Sequence, residues 1–331
     1  MRLWPVALVA AFTASTAFAQ TGPELLLRPM ADELRFDGRV SATYFFSSDF
    51  DIDDIDKDTT GEAQVARYFA EGRVRFFPGD RESTPIRKAD PRVGFSLTEL
   101  TVEDDGGVLP GHFTDMQFGV GSGVAQFGDW IAGITLGIGY AGANSFGESD
   151  AIFGAATLLF GRQLDEYTSL GVALDYNGNR TFMPDTPLPG LVYTSKLPER
   201  NLEFSLGFPN AYGRWKPTEA LLLEINFTFP DFVGGRVSYD FVDGVGLFAS
   251  FARRTDAWTA DDLDDHDRIF FEQTLAELGA RFNVDDRFAI VLAGGWAFDQ
   301  EFSVGYDTRD DDKLVELDDG PFVRLEGEFR F

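Results

Sequence analysis

The chain has 331 residues, no cysteine, and 55 acidic side chains against 28 basic ones, for a net charge of −27. Disulfides, thiolate metal sites and a cysteine nucleophile are thereby excluded, and so acidic a chain is no partner for nucleic acid. The 35 glycines and 34 phenylalanines suit strands with aromatic outer faces and small inner residues.

Residues 1–19 read as an export signal. Met1-Arg2 is a short basic start, Leu3 to Phe12 is mostly apolar, and Ala17-Phe18-Ala19 is an A-x-A cleavage site before Gln20. The apolar part is too short to cross a bilayer as a helix, and Gln20 in place of a cysteine speaks against a lipoprotein anchor. Loss of Arg2 with the signal would bring the formal charge to −28. Residues 20–35 are then expected as a short periplasmic segment and 36–331 as one barrel domain. The most apolar later stretches, Trp130 to Tyr140 and Phe288 to Phe298, are about one barrel strand long and rich in glycine.

Alternation with a period of two places strands near 36–48, 63–77, 91–103, 113–124, 129–142, 150–162, 167–177, 202–215, 219–229, 233–241, 244–254, 268–283, 286–299 and 320–331. This is an all-β, antiparallel transmembrane barrel of the outer-membrane type with about fourteen strands, twelve being the alternative. With both termini periplasmic, long connections belong at 49–62, 104–112, 143–149, 178–201, 255–267 and 300–319. Tight ones belong at 125–128, 163–166, 216–218, 242–243 and 284–285; the lengths of 78–90 and 230–232 break this rule.

Individual strands carry the signature. Trp130, Ala132, Ile134, Leu136, Ile138 and Tyr140 form an apolar face with aromatic ends, and Gly133, Thr135, Gly137 and Gly139 oppose it. Leu221, Leu223, Ile225, Phe227 and Phe229 oppose Glu224, Asn226 and Thr228. Pro209 marks a bulge or strand break, and 270–283 is compatible with a helix as well as a strand. The run Leu202-Glu203-Phe204-Ser205-Leu206-Gly207-Phe208-Pro209-Asn210-Ala211-Tyr212-Gly213-Arg214-Trp215-Lys216-Pro217 resembles an uncharacterised bacterial family of outer-membrane β-barrels, a domain of unknown function. The resemblance implies the fold and no activity.

The last ten residues alternate most strictly. Val323, Leu325, Gly327, Phe329 and Phe331 point one way; Arg324, Glu326, Glu328 and Arg330 point the other. Ending on an aromatic, this strand resembles the carboxy-terminal signal read by the barrel-assembly machinery. That implies outer-membrane lipid and the assembly machinery as partners, and the bacterial outer membrane as the location.

Charge sorts by position. Acidic residues crowd the expected loops, including Asp49, Asp51, Asp53, Asp54, Asp56 and Asp58, then Asp261, Asp262, Asp264 and Asp265. Arg67, Glu71, Arg73, Arg75, Arg92, Glu224, Arg236, Glu277 and Arg281 are assigned to the lumen, together with Arg214, Arg287, Arg324, Arg330, Asp175, Glu203, Asp240, Glu326 and Glu328. Near-balanced inner charge fits either an open channel with a transverse field or a lumen closed by ion pairs. A passive channel or transporter for small hydrophilic solutes is the first functional reading. A closed structural or adhesive barrel is the second, and a rim hydrolase the third.

Asp49-x-Asp51-x-Asp53 matches the first ligands of a calcium loop, but Asp54 replaces its glycine and Thr60 its final Glu. No metal, cofactor or catalytic residue is assigned; diffuse divalent cations at the acidic loops are the bland reading. His112 and His266 are the sole histidines, and no G-x-S-x-G is present, so no enzyme is expected.

Overall fold

The computed structural model describes residues 35–54, 57–76, 91–143, 146, 149–260, 263 and 266–331. The export signal, nearly all of the 20–35 segment, the whole 78–90 connection and Asp56, Asp261, Asp262, Asp264 and Asp265 lie outside them. No described helix is long and apolar enough to cross a membrane.

Eighteen strand segments form one sheet. The first six are β1 (Phe36–Phe45), β2 (Ser48–Asp54), β3 (Lys57–Arg75), β4 (Arg92–Asp104), β5 (His112–Phe127) and β6 (Trp130–Ala143). Then come β7 (Ile152–Gln163), β8 (Thr168–Asn177), β9 (Leu188–Leu197), β10 (Leu202–Gly207), β11 (Asn210–Trp215) and β12 (Leu221–Thr228). The last are β13 (Phe232–Val242), β14 (Val245–Thr259), β15 (Arg268–Asn283), β16 (Phe288–Gly305), β17 (Asp312–Leu317) and β18 (Gly320–Arg330). Successive barrel neighbours pair antiparallel, and β18 returns to β1 with Asp37 opposite Arg330 and Phe45 opposite Phe322. The sheet is therefore closed and has no edge for another chain to extend.

Segments β1 and β2 continue one another against β3, and β17 and β18 do so against β16. The barrel thus has sixteen staves, which corrects the expected fourteen and the alternative twelve. Two local misreadings account for the difference. The proline-rich stretch expected as loop 178–201 contains β9, whose Pro189 is its second residue, a position where proline is tolerated. The expected strand 202–215 is a hairpin: β10 and β11 pair through Leu202–Trp215 and Ser205–Tyr212, turning at Phe208-Pro209. The acidic 49–62 stretch is also a hairpin, β2 against β3 with Asp51 opposite Thr60. Asp49, Asp51 and Asp53 therefore follow extended backbone rather than the turning backbone of a calcium loop. The 268–283 stretch is a strand paired on both sides; its neighbours complete a ladder that a lone helix would leave open.

Stave heights differ. β3 has 19 residues and β16 has 18, whereas β10 and β11 have 6 each and β12 has 8. The wall is tall on one side and low on the other. Outside, Phe118, Ile138, Val172, Ile225, Leu278 and Leu325 are each more than a third exposed. These residues come from staves all round the barrel, and apolar surface of that extent is matched to hydrocarbon rather than to water.

Away from the termini, the tall staves fold toward one another over the lumen. Trp258 on β14 packs against Phe113 on β5 with ring centroids 4.9 Å apart, and Phe302 lies 5.8 Å from Phe113 and 4.3 Å from Phe271. All four rings are fully buried. Thr259 on β14 pairs in parallel with Gly142 on β6, a contact across the mouth rather than around the wall. Leu100, Val102, Val315 and Leu317 complete an apolar plug.

Candidate functional site in the barrel interior

The inner faces follow from register. On β18, Phe322, Glu326, Glu328 and Arg330 are buried while Val323 and Leu325 are exposed. The charged set thus points inward and the apolar set outward. Phe331 is exposed, and its backbone is held at the closing seam: its N–H donates to Phe36 O at 2.9 Å, and its own carbonyl accepts from Phe36 N at 2.8 Å. Gly327 and Phe329 share the outward face with Val323, Leu325 and Phe331, and the Phe329 ring packs 5.2 Å from Phe288.

One side of the lumen is a network of ions. Beginning at the terminal end, Arg73 donates to Asp37 at 2.8 Å, and Glu328 accepts from Arg281 at 2.9 Å and Arg330 at 3.1 Å. Further in, Arg39 meets Glu71 at 2.6 Å. Arg324 reaches past β16 to clamp Glu277 with bonds of 3.0 and 2.8 Å, and binds Glu326 at 2.6 Å. The Glu277 carboxylate also accepts from Ser250 at 2.7 Å. Arg214 lies 3.8 Å from Glu224, and the Arg236 guanidinium stands 3.6 Å over the Phe248 ring. Beneath the plug, Arg67 crosses from β3 to meet Asp256 on β14 at 2.9 Å, and Arg254 holds the same carboxylate. Such dense pairing is required, because a buried ion without a partner costs several kcal/mol.

The opposite side is lined mainly by small residues, with buried Asp115 and Asp175 as its inward charges, the latter paired with Arg180. Gly119, Gly133, Gly137, Ala155, Gly171 and Ala173 share the inward register of β5 to β8. Small residues there leave room for the long side chains of the charged wall.

A strap closes what the plug leaves. The 178–187 connection leaves β8 and crosses to the far staves. Asn179 donates to Ala257 O at 3.1 Å, Arg268 to Arg180 O at 3.0 Å, and Thr308 N–H to Thr181 O at 3.0 Å. The Thr181 hydroxyl donates to Asp231, and Phe182 meets Phe229 edge-on at 5.2 Å. Asp231 lies in the connection between β12 and β13, where burial lifts its carboxyl to about 6.

Of the residues assigned to the lumen from sequence, Arg67, Glu71, Arg73, Arg75 and Arg236 are buried. Glu224, Glu277, Arg281 and Arg92 are partly buried, each on the inward register of its stave. Arg287 and Asp240 are not inside: both are exposed, Arg287 in the turn before β16 and Asp240 near the end of β13. Sequence reasoning missed Asp37, Arg39, Asp115, Arg254, Asp256 and Gln273. Asp37 and Arg39 share the parity of Ser41 and Thr43, a signal present in the alternation. Asp256 was assigned to a loop, because acidic composition outweighed the pairing that carries β14 to Thr259.

His112 opens β5, with its Nδ1 3.5 Å from Glu99, while Thr114 donates to the other Glu99 oxygen at 2.6 Å. His266 sits in the connection before β15 with φ +80°. Among the described residues no acidic or histidine cluster could hold a metal ion.

No family model and no curated protein matches the chain, so the resemblance at 202–217 gains no family assignment. Solved structures with some likeness include the Pseudomonas putida toluene transporter TodX, at 8% identity over 94% of this chain and 91% of that one, TM-score 0.40. An outer-membrane channel from Pseudomonas putida F1 has 10% identity over 92% and 99%, TM-score 0.39. The outer-membrane protein Omp33 of Acinetobacter baumannii has 11% identity over 91% and 100%, TM-score 0.34. The architecture given above rests on strand pairing alone.

Proposed function

We propose that the chain is an outer-membrane channel for small hydrophilic solutes, seen here with its outer mouth shut. The observation that carries this reading is the lumen's division into a wall dense in paired ions facing a wall of mainly small side chains, on which Asp115 and Asp175 are the inward charges. A barrel filled only for stability gains nothing from concentrating most of its charges on one side. A conduction path gains a transverse field that acts on the permeating ion at short range. The outward belt of apolar side chains supports placement in lipid, where a closed barrel satisfies every backbone bond. The alternating C-terminal strand supports insertion by the barrel-assembly machinery. The role proposed is passive and non-enzymatic, with the acidic outer segments attracting divalent cations diffusely.

The test is a planar-bilayer recording of the purified barrel, before and after removal of the 178–187 strap. Conductance should rise in the strapless protein, and Arg73→Glu with Arg75→Glu should shift its preference toward cations. A second reading, a structural or adhesive barrel that never opens, is favoured by the Phe113–Trp258–Phe302–Phe271 stack. A strapless barrel that stays silent at all voltages would decide for it. Location is tested by fractionation: the folded protein should run with the outer membrane and migrate faster unheated than boiled.

A further inference from the structure

Between the plug and the ion network lies a cavity of about 80 Å³. Its walls carry four guanidinium groups, Arg39, Arg67, Arg254 and Arg324, against two carboxylates, Glu277 and Glu326. Both carboxylates are already engaged by Arg324. Two other lining side chains are not satisfied. Gln273 is fully buried, with neither its amide nitrogen nor its amide oxygen bonded. Arg67 is 5% exposed, and its Nε and Nη1 have no hydrogen-bond partner. Buried polar groups are almost always bonded, so such a pair marks a place where another molecule completes the site.

The backbone adds a second sign. In the pairing of β15 with β16, the register shifts between Glu272 and Thr274, so that Asp299 and Gln300 of β16 form a bulge directly opposite Gln273. Bulges re-aim side chains and are found beside functional sites. Gln273 itself stays in regular register with Arg254 of β14 and shares the inward parity of Leu275 and Glu277, which sets its amide on the cavity wall beside that bulge.

We propose that this cavity is a binding station for one small oxyanion of the carboxylate class. Arg67 would donate to its oxygens and the Gln273 amide would supply a further donor. Size selects the class. One water needs roughly 10–15 Å³ measured in this way, so the space takes a few waters or one anion of formate or acetate size, and excludes a sugar. The free Glu326 oxygen opposes the anion and keeps its hold modest, which exit from a pore requires. The proposal deepens the channel reading by naming the solute class, but binding at equilibrium does not require conduction.

The experiment uses isotope-labelled formate and the purified, folded barrel in detergent, with saturation followed by carbon NMR. Wild type should bind saturably, and excess acetate should displace the probe while urea, a neutral molecule of like size, should not. Gln273→Leu and Arg67→Met should each weaken binding about tenfold, the loss expected for one hydrogen bond to a charged group. Folding of each variant is verified by its faster unheated migration. Absence of saturable binding in wild type, equal displacement by urea, or unchanged affinity in both variants would overturn the proposal. Saturable binding together with a silent bilayer recording would instead remove only the channel reading.

Discussion

Replacing Arg324 by Met tests the inward register of the barrel by the sign of its effect. Arg324 makes two bonds to Glu277 and one to Glu326, at 3.0, 2.8 and 2.6 Å. Its removal leaves the buried Glu326 and the partly buried Glu277 short of their cation. Breaking a buried ion pair from one side costs about 3–5 kcal/mol. Here the loss should fall near the lower end, because Ser250 still donates to Glu277. Adding Glu277→Gln to Arg324→Met should recover part of it, since one uncompensated charge is then gone. The assay is urea unfolding of the barrel refolded in lipid vesicles, followed by tryptophan fluorescence and gel migration. A one-residue slip would turn Arg324 to lipid, where an arginine near the midplane costs roughly 2–4 kcal/mol. In that case Arg324→Met would stabilise the barrel, and a gain in unfolding free energy would refute the assignment of faces.

Four further outcomes are expected. Phe302→Ala should lower unfolding free energy by about 3–5 kcal/mol and raise the frequency of open events in bilayer recordings, because Phe302 stacks on both Phe113 and Phe271; unchanged recordings would remove the plug from gating. Deleting Phe331 should sharply reduce folded yield while leaving export intact, which pulse-labelling and heat-dependent migration would read. Gly279→Ala should cost about 1–3 kcal/mol, since a Cβ there would stand 2.3 Å from the Phe248 ring and 2.7 Å from Leu292 O, whereas Gly123→Ala, with nothing within 4 Å, should be nearly silent. Asp231 has its carboxyl raised to about 6 by burial; its contribution is whole below about pH 4, where the free carboxyl titrates, and is lost as pH rises through about 6. Thermal unfolding across that range should show this decline in wild type and not in Asp231→Asn.

How much was legible depended on whether alternation or composition carried the signal. On β18 and β6 a strict period of two settles which residues face inward, and β1 shows that the same rule would have found Asp37 and Arg39. Composition misled where it imitated loops. Four prolines at 184, 187, 189 and 198 hid β9, because proline disfavours strands on average but is tolerated at their ends. Aspartates hid β2, β17 and the upper part of β14, each of which extends a hairpin with its neighbour in sequence. The crossing of Arg67 to Asp256 could not be read at all. It depends on the tall staves folding inward over the lumen, a tertiary event with no local signature.

The unequal wall has a consequence for the surrounding lipid. A spanning strand needs roughly 9–11 residues, and β10 to β12, with 6, 6 and 8, fall short of that on one flank alone. Hydrocarbon meeting this flank must thin, or the whole barrel must lean toward it, at a cost of fractions of a kcal/mol per ångström. The protein would then sit with its axis off the bilayer normal and one leaflet dimpled beside β10 to β12. Vesicles of shorter acyl chains should accept it faster than thick ones, with the difference reduced if those three staves are lengthened.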